Sequence, residues 1–220
     1  MERKFFIFDW DGTLCDSTAK ICLSMQTAAV DCQQPKLSTE QVMDIIGLGL
    51  PEAIAQLVPG IAEGAILAMR DAYARRFIEA DQVPCDLFPG VRETLDELRA
   101  QGHYLAVATG KARKGLDRVL GSVGLDDFFD ASRCADETAS KPHPKMLHEL
   151  LAEMAHPLEA SVMVGDTEFD MDMARRAGMP RIAVDYGAHH PDRLKQYDLL
   201  DCVSEFSEIA SWSRRAFNTP

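Results

Sequence analysis

Lys4-Phe5-Phe6-Ile7-Phe8-Asp9-Trp10-Asp11-Gly12-Thr13-Leu14 sets a short apolar run against a loop that carries two carboxylates and a glycine. The run reads as a buried strand feeding a loop. Its setting comes from the second half of the chain, where an alternating rhythm begins after Phe88-Pro89-Gly90. Helices are expected over 91–101, 113–123, 144–155 and 168–177, and Gly102, Gly124 and Gly178 close three of them. Strands are expected over 103–108, 128–131, 161–164 and 181–184. Alternation of this kind predicts an α/β protein, with a parallel sheet core and helices on both faces.

Between the first strand and this alternating half the pattern is different. Ile21, Met25 and Ala28-Ala29 follow helical spacing, and Ser38 precedes Val42, Ile45 and Ile46 as a helix cap does. Pro51 suits the start of another helix, and Pro59-Gly60 breaks the chain before a longer one over 62–80. The segment reads as about four helices without a strand, inserted just after the first strand.

The 220-residue chain is long enough for one core with a modest insertion, and its 46% hydrophobic and 26% charged residues are an ordinary globular balance. Thirty-five acidic side chains against 23 basic ones leave a net charge of −12. That balance argues against a broad nucleic-acid footprint and against a polybasic membrane surface. An acidic protein still binds anions where a metal or a few placed cations reverse the local field. The six cysteines, at 15, 22, 32, 85, 134 and 202, form no CxxC pair and no zinc pattern, so reduced thiols are expected. Phe5 to Phe8 is too short for a secretory apolar region of about 7–15 residues. Residues 45–69 are apolar but interrupted by Pro51, Glu52, Pro59 and Glu63, which argues against a membrane span. A cytoplasmic protein without membrane attachment is expected.

Chemistry gathers in four places. Asp9 and Asp11 are two apart, so the chain must turn to bring both to one site, and Gly12 permits that turn. Taken alone, Asp-x-Asp-Gly also reads as an Asx turn, or as part of a calcium loop, although the other calcium ligands are missing here. Asp166 and Asp170 follow the strand at 161–164. Four residues apart, they either face one point across a helical turn or simply favour a helix N-terminus. Thr109 and Gly110 end a strand, where a hydroxyl and backbone amides suit an anion. Lys141 stands before a proline, in extended backbone. Each signal alone is weak. Together, three or four carboxylates at strand ends repel one another unless a divalent cation and a lysine compensate, and a hard oxygen cluster suits Mg²⁺.

This ensemble resembles the haloacid dehalogenase superfamily. All four of its motifs stand in order here: Asp9 with Asp11, Thr109, Lys141, and Asp166 with Asp170. The closest likeness is to phosphoglycolate phosphatase-like members, through Gly47-Leu48-Gly49 and Phe88-Pro89-Gly90-Val91. The resemblance covers the whole chain. It implies a Rossmann-like catalytic core formed by 1–15 and 83–220, with a helical cap at 16–82.

The resemblance also implies roles. Asp9 is expected to be the nucleophile, and Asp11 to protonate the leaving alkoxide and then activate water. Mg²⁺ is expected on the Asp9 side chain, the Asp11 backbone carbonyl and Asp166, with Asp170 as a further ligand or as the orienter of one. Thr109 and Gly110 are expected to bind phosphoryl oxygens, Lys141 to neutralise both Asp9 and the phosphate, and Gly47, Leu48 and Gly49 to meet the rest of the substrate. The presence of Asp11 favours phosphate esters, since dehalogenases of the superfamily lack this second acid.

The function implied is a Mg²⁺-dependent phosphatase of small phosphorylated metabolites, acting as monomer or homodimer, with 2-phosphoglycolate the first named candidate. A β-phosphoglucomutase-type mutase, a pyrophosphatase and a non-catalytic phosphate-binding module are the alternatives. Lys111, Arg113, Lys114 and Arg118 are read chiefly as a solvated helix face. His143, His189 and His190 are read as surface or loop residues, Trp10 as packing beside the loop, and Cys15 as a buried thiol.

Overall fold

The computed structural model describes residues 3–80 and 86–216. In chain order the first elements are β1 (Phe5–Phe8), α1 (Thr18–Asp31), α2 (Thr39–Met43), α3 (Leu50–Leu57) and α4 (Glu63–Glu79). Then follow α5 (Val91–Ala100), β2 (Tyr104–Thr109), α6 (Arg113–Ser122), β3 (Ala131–Cys134) and α7 (Lys145–Glu153). The chain ends with β4 (Ser161–Gly165), α8 (Glu168–Ala177), β5 (Arg181–Val184), α9 (Pro191–Leu194), β6 (Asp201–Val203) and α10 (Glu208–Ala216).

The strands form one parallel sheet in the order β3-β2-β1-β4-β5-β6. β1 is buried on both faces, which is why it reads as a continuous apolar run. Phe6 and Phe8 pack with Leu95 and Leu98 of α5 and Leu116 of α6 on one face. Phe5 and Ile7 pack with Met146, Leu147 and Leu150 of α7 and with Met173 of α8 on the other. The α/β expectation therefore holds, with helices on both faces.

Sheet order also decides where a site can form. The chain winds outward from β1 through β2 to β3, then crosses back to β4 and winds the other way. At that reversal the loops after β1 and β4 part from each other and leave a crevice beyond the carboxyl ends of the strands.

The insert is helical, as expected, and has an apolar cluster of its own. Ile21, Met25, Ile45, Ile54, Met69 and Phe77 are buried together within it. It leaves and rejoins the sheet through two segments lying side by side, with Asp16 N–H donating to Asp86 O at 2.9 Å and Phe88 N–H to Leu14 O at 3.0 Å. The expected boundary at 82/83, and Cys85 with it, lie outside the described residues. The other cysteines are free thiols.

Four elements differ from the sequence reading. The strand expected over 128–131 is instead Ala131–Cys134. Phe128 and Phe129 are a turn whose rings meet edge to face and pack on the core. The true strand carries Ser132 and Arg133 in its half-exposed middle, so edge exposure hides it from an apolar pattern. β6 and α9 fall at three and four residues, too short to show a period. α10, also unexpected, buries Ile209, Ala210 and Ser213. Among the described residues no helix is long and apolar enough to cross a membrane.

Candidate active site

Asp9 is the first residue past β1, Thr109 the last of β2, and Asp166 the first past β4. The parallel sheet thereby delivers three of the expected residues to the mouth of the crevice. Lys141 arrives from the β3–α7 connection and Asp170 from the first turn of α8. All five are essentially excluded from solvent.

The acidic side chains converge. Asp9, Asp166 and Asp170 each offer an oxygen within 4.8 Å of the others. Lys141 Nζ lies 2.7 Å from Asp9 Oδ1 and 2.7 Å from Asp170 Oδ1. Asp166 is held by the Thr13 hydroxyl, donating to Oδ1 at 2.7 Å, and by Ala188 N–H, donating to Oδ2 at 2.7 Å. Asp170 Oδ2 accepts from the Thr167 hydroxyl at 2.6 Å and from Thr167 N–H at 3.1 Å. Asp170 thus serves both readings made from sequence, because it closes a capping box on α8 while its other oxygen faces Lys141.

The electrostatics follow from this crowding. Burial pushes the Asp9 carboxyl well above its ordinary value; Lys141 opposes this, while Asp170 and Asp166 add to it. Burial and the Asp170 charge push Asp166 up to about 7, against the hydrogen bonds from Ala188 and Thr13. Burial works against the Lys141 ammonium, but Asp170 and Asp9 outweigh it and hold the pKa above the ordinary lysine value. With all four groups ionised the cluster carries three negative charges and one positive. A divalent cation would complete its neutrality. Asp9 Oδ2 is buried with no hydrogen-bond partner, and an all-carboxylate donor set suits a hard divalent ion. The residues present fit such a metal.

Asp11 goes elsewhere. Its carboxylate stands outside the triad, with Oδ1 accepting from the Ser17 hydroxyl at 2.5 Å and meeting Lys111 Nζ at 3.0 Å. Gly12, at φ +80°, lets the loop pass so close to Asp166 that a Cβ there would fall 2.2 Å from Asp166 Oδ2. Thr109 Oγ1 accepts from Lys111 N–H at 3.2 Å.

The insert loop lies directly over this mouth. A Cβ at Gly110 would come 2.4 Å from Leu48 O and 2.6 Å from Gly47 O, and Gly49 N–H donates to Ser140 Oγ at 2.7 Å. Gly47, Leu48 and Gly49 therefore meet the core through backbone at Gly110 and Ser140. A second clasp joins insert and core where Arg193 pairs with Asp44 at 2.5 Å and with Glu168 at 2.6 Å.

Several participants were missed in the sequence. Lys111 is not on a solvated face, since its side chain is only 11% exposed. Arg113 does sit toward the surface but is tied to Glu137 and Ser132. His189 is buried rather than a loose loop residue, and its Nδ1 accepts from Glu168 N–H at 3.1 Å. Thr13, Ser17 and Thr167 had only their places beside the acidic motifs as a signal. Trp10 and Cys15 are buried in the core as expected.

A parallel sheet with carboxylates and a lysine clustered at its switch point is an enzyme's architecture. Residues 6–184 match the model of the haloacid dehalogenase-like hydrolases, and the chain belongs to that family. It is 38% identical over 212 residues to the probable phosphatase IndB of Dickeya dadantii, covering 94% of this chain and 92% of that one. It is 27% identical over 216 residues to a phosphoglycolate phosphatase of Colwellia psychrerythraea, covering 94% and 96%. The crystal structure of a predicted phosphoglycolate phosphatase from Haemophilus somnus superposes with a TM-score of 0.85 at 26% identity, over 97% of this chain and 99% of that one.

Two outcomes follow from the geometry. Lys141→Ala leaves the buried acids uncompensated, so urea unfolding in excess chelator is expected to show a loss of about 3 kcal/mol; an unchanged midpoint and slope would remove the lysine from this role. Gly110→Ala forces the loop off the core, and amide exchange at Gly47 and Gly49 should accelerate by roughly tenfold or more. Unaltered exchange there would mean that the loop does not depend on this contact.

Proposed function

We propose that the enzyme is a Mg²⁺-dependent phosphatase that hydrolyses small phosphomonoesters through an aspartyl-phosphate on Asp9, with 2-phosphoglycolate the first candidate, and that the insert at 16–82 acts as its cap. The observation that carries this reading is Asp9 itself. One of its oxygens is fixed by Lys141 and the other is buried without a partner at the switch point.

In this reading a carboxylate oxygen of Asp9 attacks phosphorus while the bond to the ester oxygen breaks. Asp11 gives its proton to the leaving oxygen, then takes one from the water that attacks the phosphoryl group and releases Asp9. Thr109 and the Gly110 backbone receive phosphoryl oxygens at the end of β2. Lys141 balances charge on Asp9 and on the incoming phosphate. Asp9, Asp166, Asp170 and the Asp11 carbonyl would hold Mg²⁺. When bound, the ion supplies the positive charge without which a dianionic phosphate is repelled by these acids. Asp11 belongs to the same reading, because a hydrolase acting on esters of poor leaving groups needs an acid beside the nucleophile.

The loop supports a preference for small substrates. Residues 47–52 contain no lysine or arginine, and Glu52 is exposed in the first turn of α3. Arg70 pairs with Asp71, and Arg76 with Asp31 and Glu79, in partly exposed ion pairs. Both arginines are engaged in these pairs, and the loop itself supplies no cation for a second phosphate.

Turnover of a phosphomonoester should vanish in excess chelator and return with Mg²⁺, and Asp9→Asn should lower kcat more than about a hundredfold while keeping the fold. A purified Asp9→Asn protein retaining more activity than that would refute the nucleophile assignment. In a screen of phosphorylated metabolites, small monophosphates are expected to exceed glucose 1,6-bisphosphate and nucleoside triphosphates in kcat/KM. The reverse order would reject the loop argument and leave the core chemistry standing.

A further inference from the structure

Lys111 is a largely enclosed cation, its side chain 11% exposed, with no part in the proposed chemistry. Its backbone is fixed at both ends of the residue, its N–H donating to Thr109 Oγ1 at 3.2 Å and its carbonyl accepting from Ala135 N–H at 3.0 Å. The side chain crosses from the core loop to the insert and ends between two groups. On one side Nζ meets Asp11 Oδ1 at 3.0 Å. On the other it lies 4.7 Å from the ring centre of Phe77, a buried residue of α4. Lys20 Nζ and the Arg118 guanidinium lie 5.0 and 5.5 Å from the same ring. Phe77 thus gathers three cations at the junction, and Asp11 supplies negative charge at the innermost of them.

Asp11 Oδ1 consequently receives two donors, Lys111 Nζ and the Ser17 hydroxyl at 2.5 Å. An oxygen so occupied is a poor site for a proton, whereas the other oxygen is left to exchange one. We infer that Lys111 is a positioning residue for Asp11: it holds Oδ1 so that Oδ2 is presented to the leaving oxygen, and Phe77 seats its ammonium only when the insert lies closed on the core. Closure and orientation of the acid then depend on the same side chain. The inference rests on the proposed role of Asp11 and goes beyond it, since it concerns what aims that carboxyl group.

The chemistry provides a discriminating readout. A positioned acid matters when the leaving alkoxide is a strong base and matters little when the leaving group is a stable phenolate. Because kcat/KM reports the steps up to release of the leaving group, later hydrolysis of the aspartyl-phosphate does not obscure it. The experiment compares wild type, Lys111→Gln and Asp11→Asn, each with saturating Mg²⁺, on 2-phosphoglycolate and on p-nitrophenyl phosphate. Lys111→Gln should lose roughly 30-fold on the alkyl ester and under about threefold on the aryl ester, so that the two losses differ by about tenfold or more. Losses differing by less than that, or no loss on either, would overturn the inference, because a residue that merely supports the fold or attracts the phosphate affects both esters alike. Asp11→Asn separates this failure from failure of the underlying reading. Selective loss in Asp11→Asn without it in Lys111→Gln sinks only the role of Lys111, while an unselective Asp11→Asn sinks the acid assignment and the inference together. If Lys111→Gln does not fold, Lys111→Met, which keeps most of the aliphatic stem, replaces it in the same comparison.

Discussion

The Lys141 ammonium, 2.7 Å from both Asp9 and Asp170 and shut away from water, is the contact on which the rest of the site depends. Two like charges about 4 Å apart, at an effective dielectric constant of about 20, repel by about 4 kcal/mol. Three buried carboxylates form three such pairs, a repulsion near 12 kcal/mol, against a typical whole-domain stability of about 5–15 kcal/mol. Without a cation the acids would have to bind protons or the fold would open. The lysine relieves two of the three groups and leaves a net charge that a dication completes. Asp166, furthest from this relief in its hydrogen bonding, is steadied by Thr13 and Ala188 instead.

The sheet is what makes such crowding possible at a defined place. Parallel strands direct all their carboxyl ends to one edge, and the reversal of winding between β1 and β4 opens space there. Even so, the loops must approach more closely than side chains normally allow. A Cβ on Gly12 or Gly187 would fall 2.2 Å from atoms of Asp166. Side-chain-free backbone therefore forms part of the wall around the acids, and α8 brings its positive end to Asp170 through the capping box.

How much of this was legible follows the same physics. β1, β4 and β5 are buried on both faces and read directly as apolar runs. The carboxylates stood out because acids at strand ends have no role in packing. β3 and β6 were displaced or missed because edge strands are half wet and short, so the apolar period disappears. Lys111 was misread for a different reason. In sequence it heads a basic run with Arg113, Lys114 and Arg118, and only the fold shows that Lys111 and Arg118 reach Phe77 and that Lys111 also meets Asp11. Ser17 and Thr167 are likewise ordinary hydroxyls until a carboxylate is placed beside each.

The buried cluster and the seat of the insert on the core rest on two kinds of contact. The core holds its groups through charge and buried hydrogen bonds, which tolerate little change. The insert meets the core at Gly110 through the carbonyls of Gly47 and Leu48 and at Ser140 through the amide of Gly49. Those contacts use atoms that every residue possesses. The side chains of Leu48 and Leu50, which pack on the insert's own apolar cluster, are not needed for these backbone contacts and can change without removing them. The glycines cannot vary in this way, because at Gly110 a single methyl group would occupy the space of the loop's own backbone.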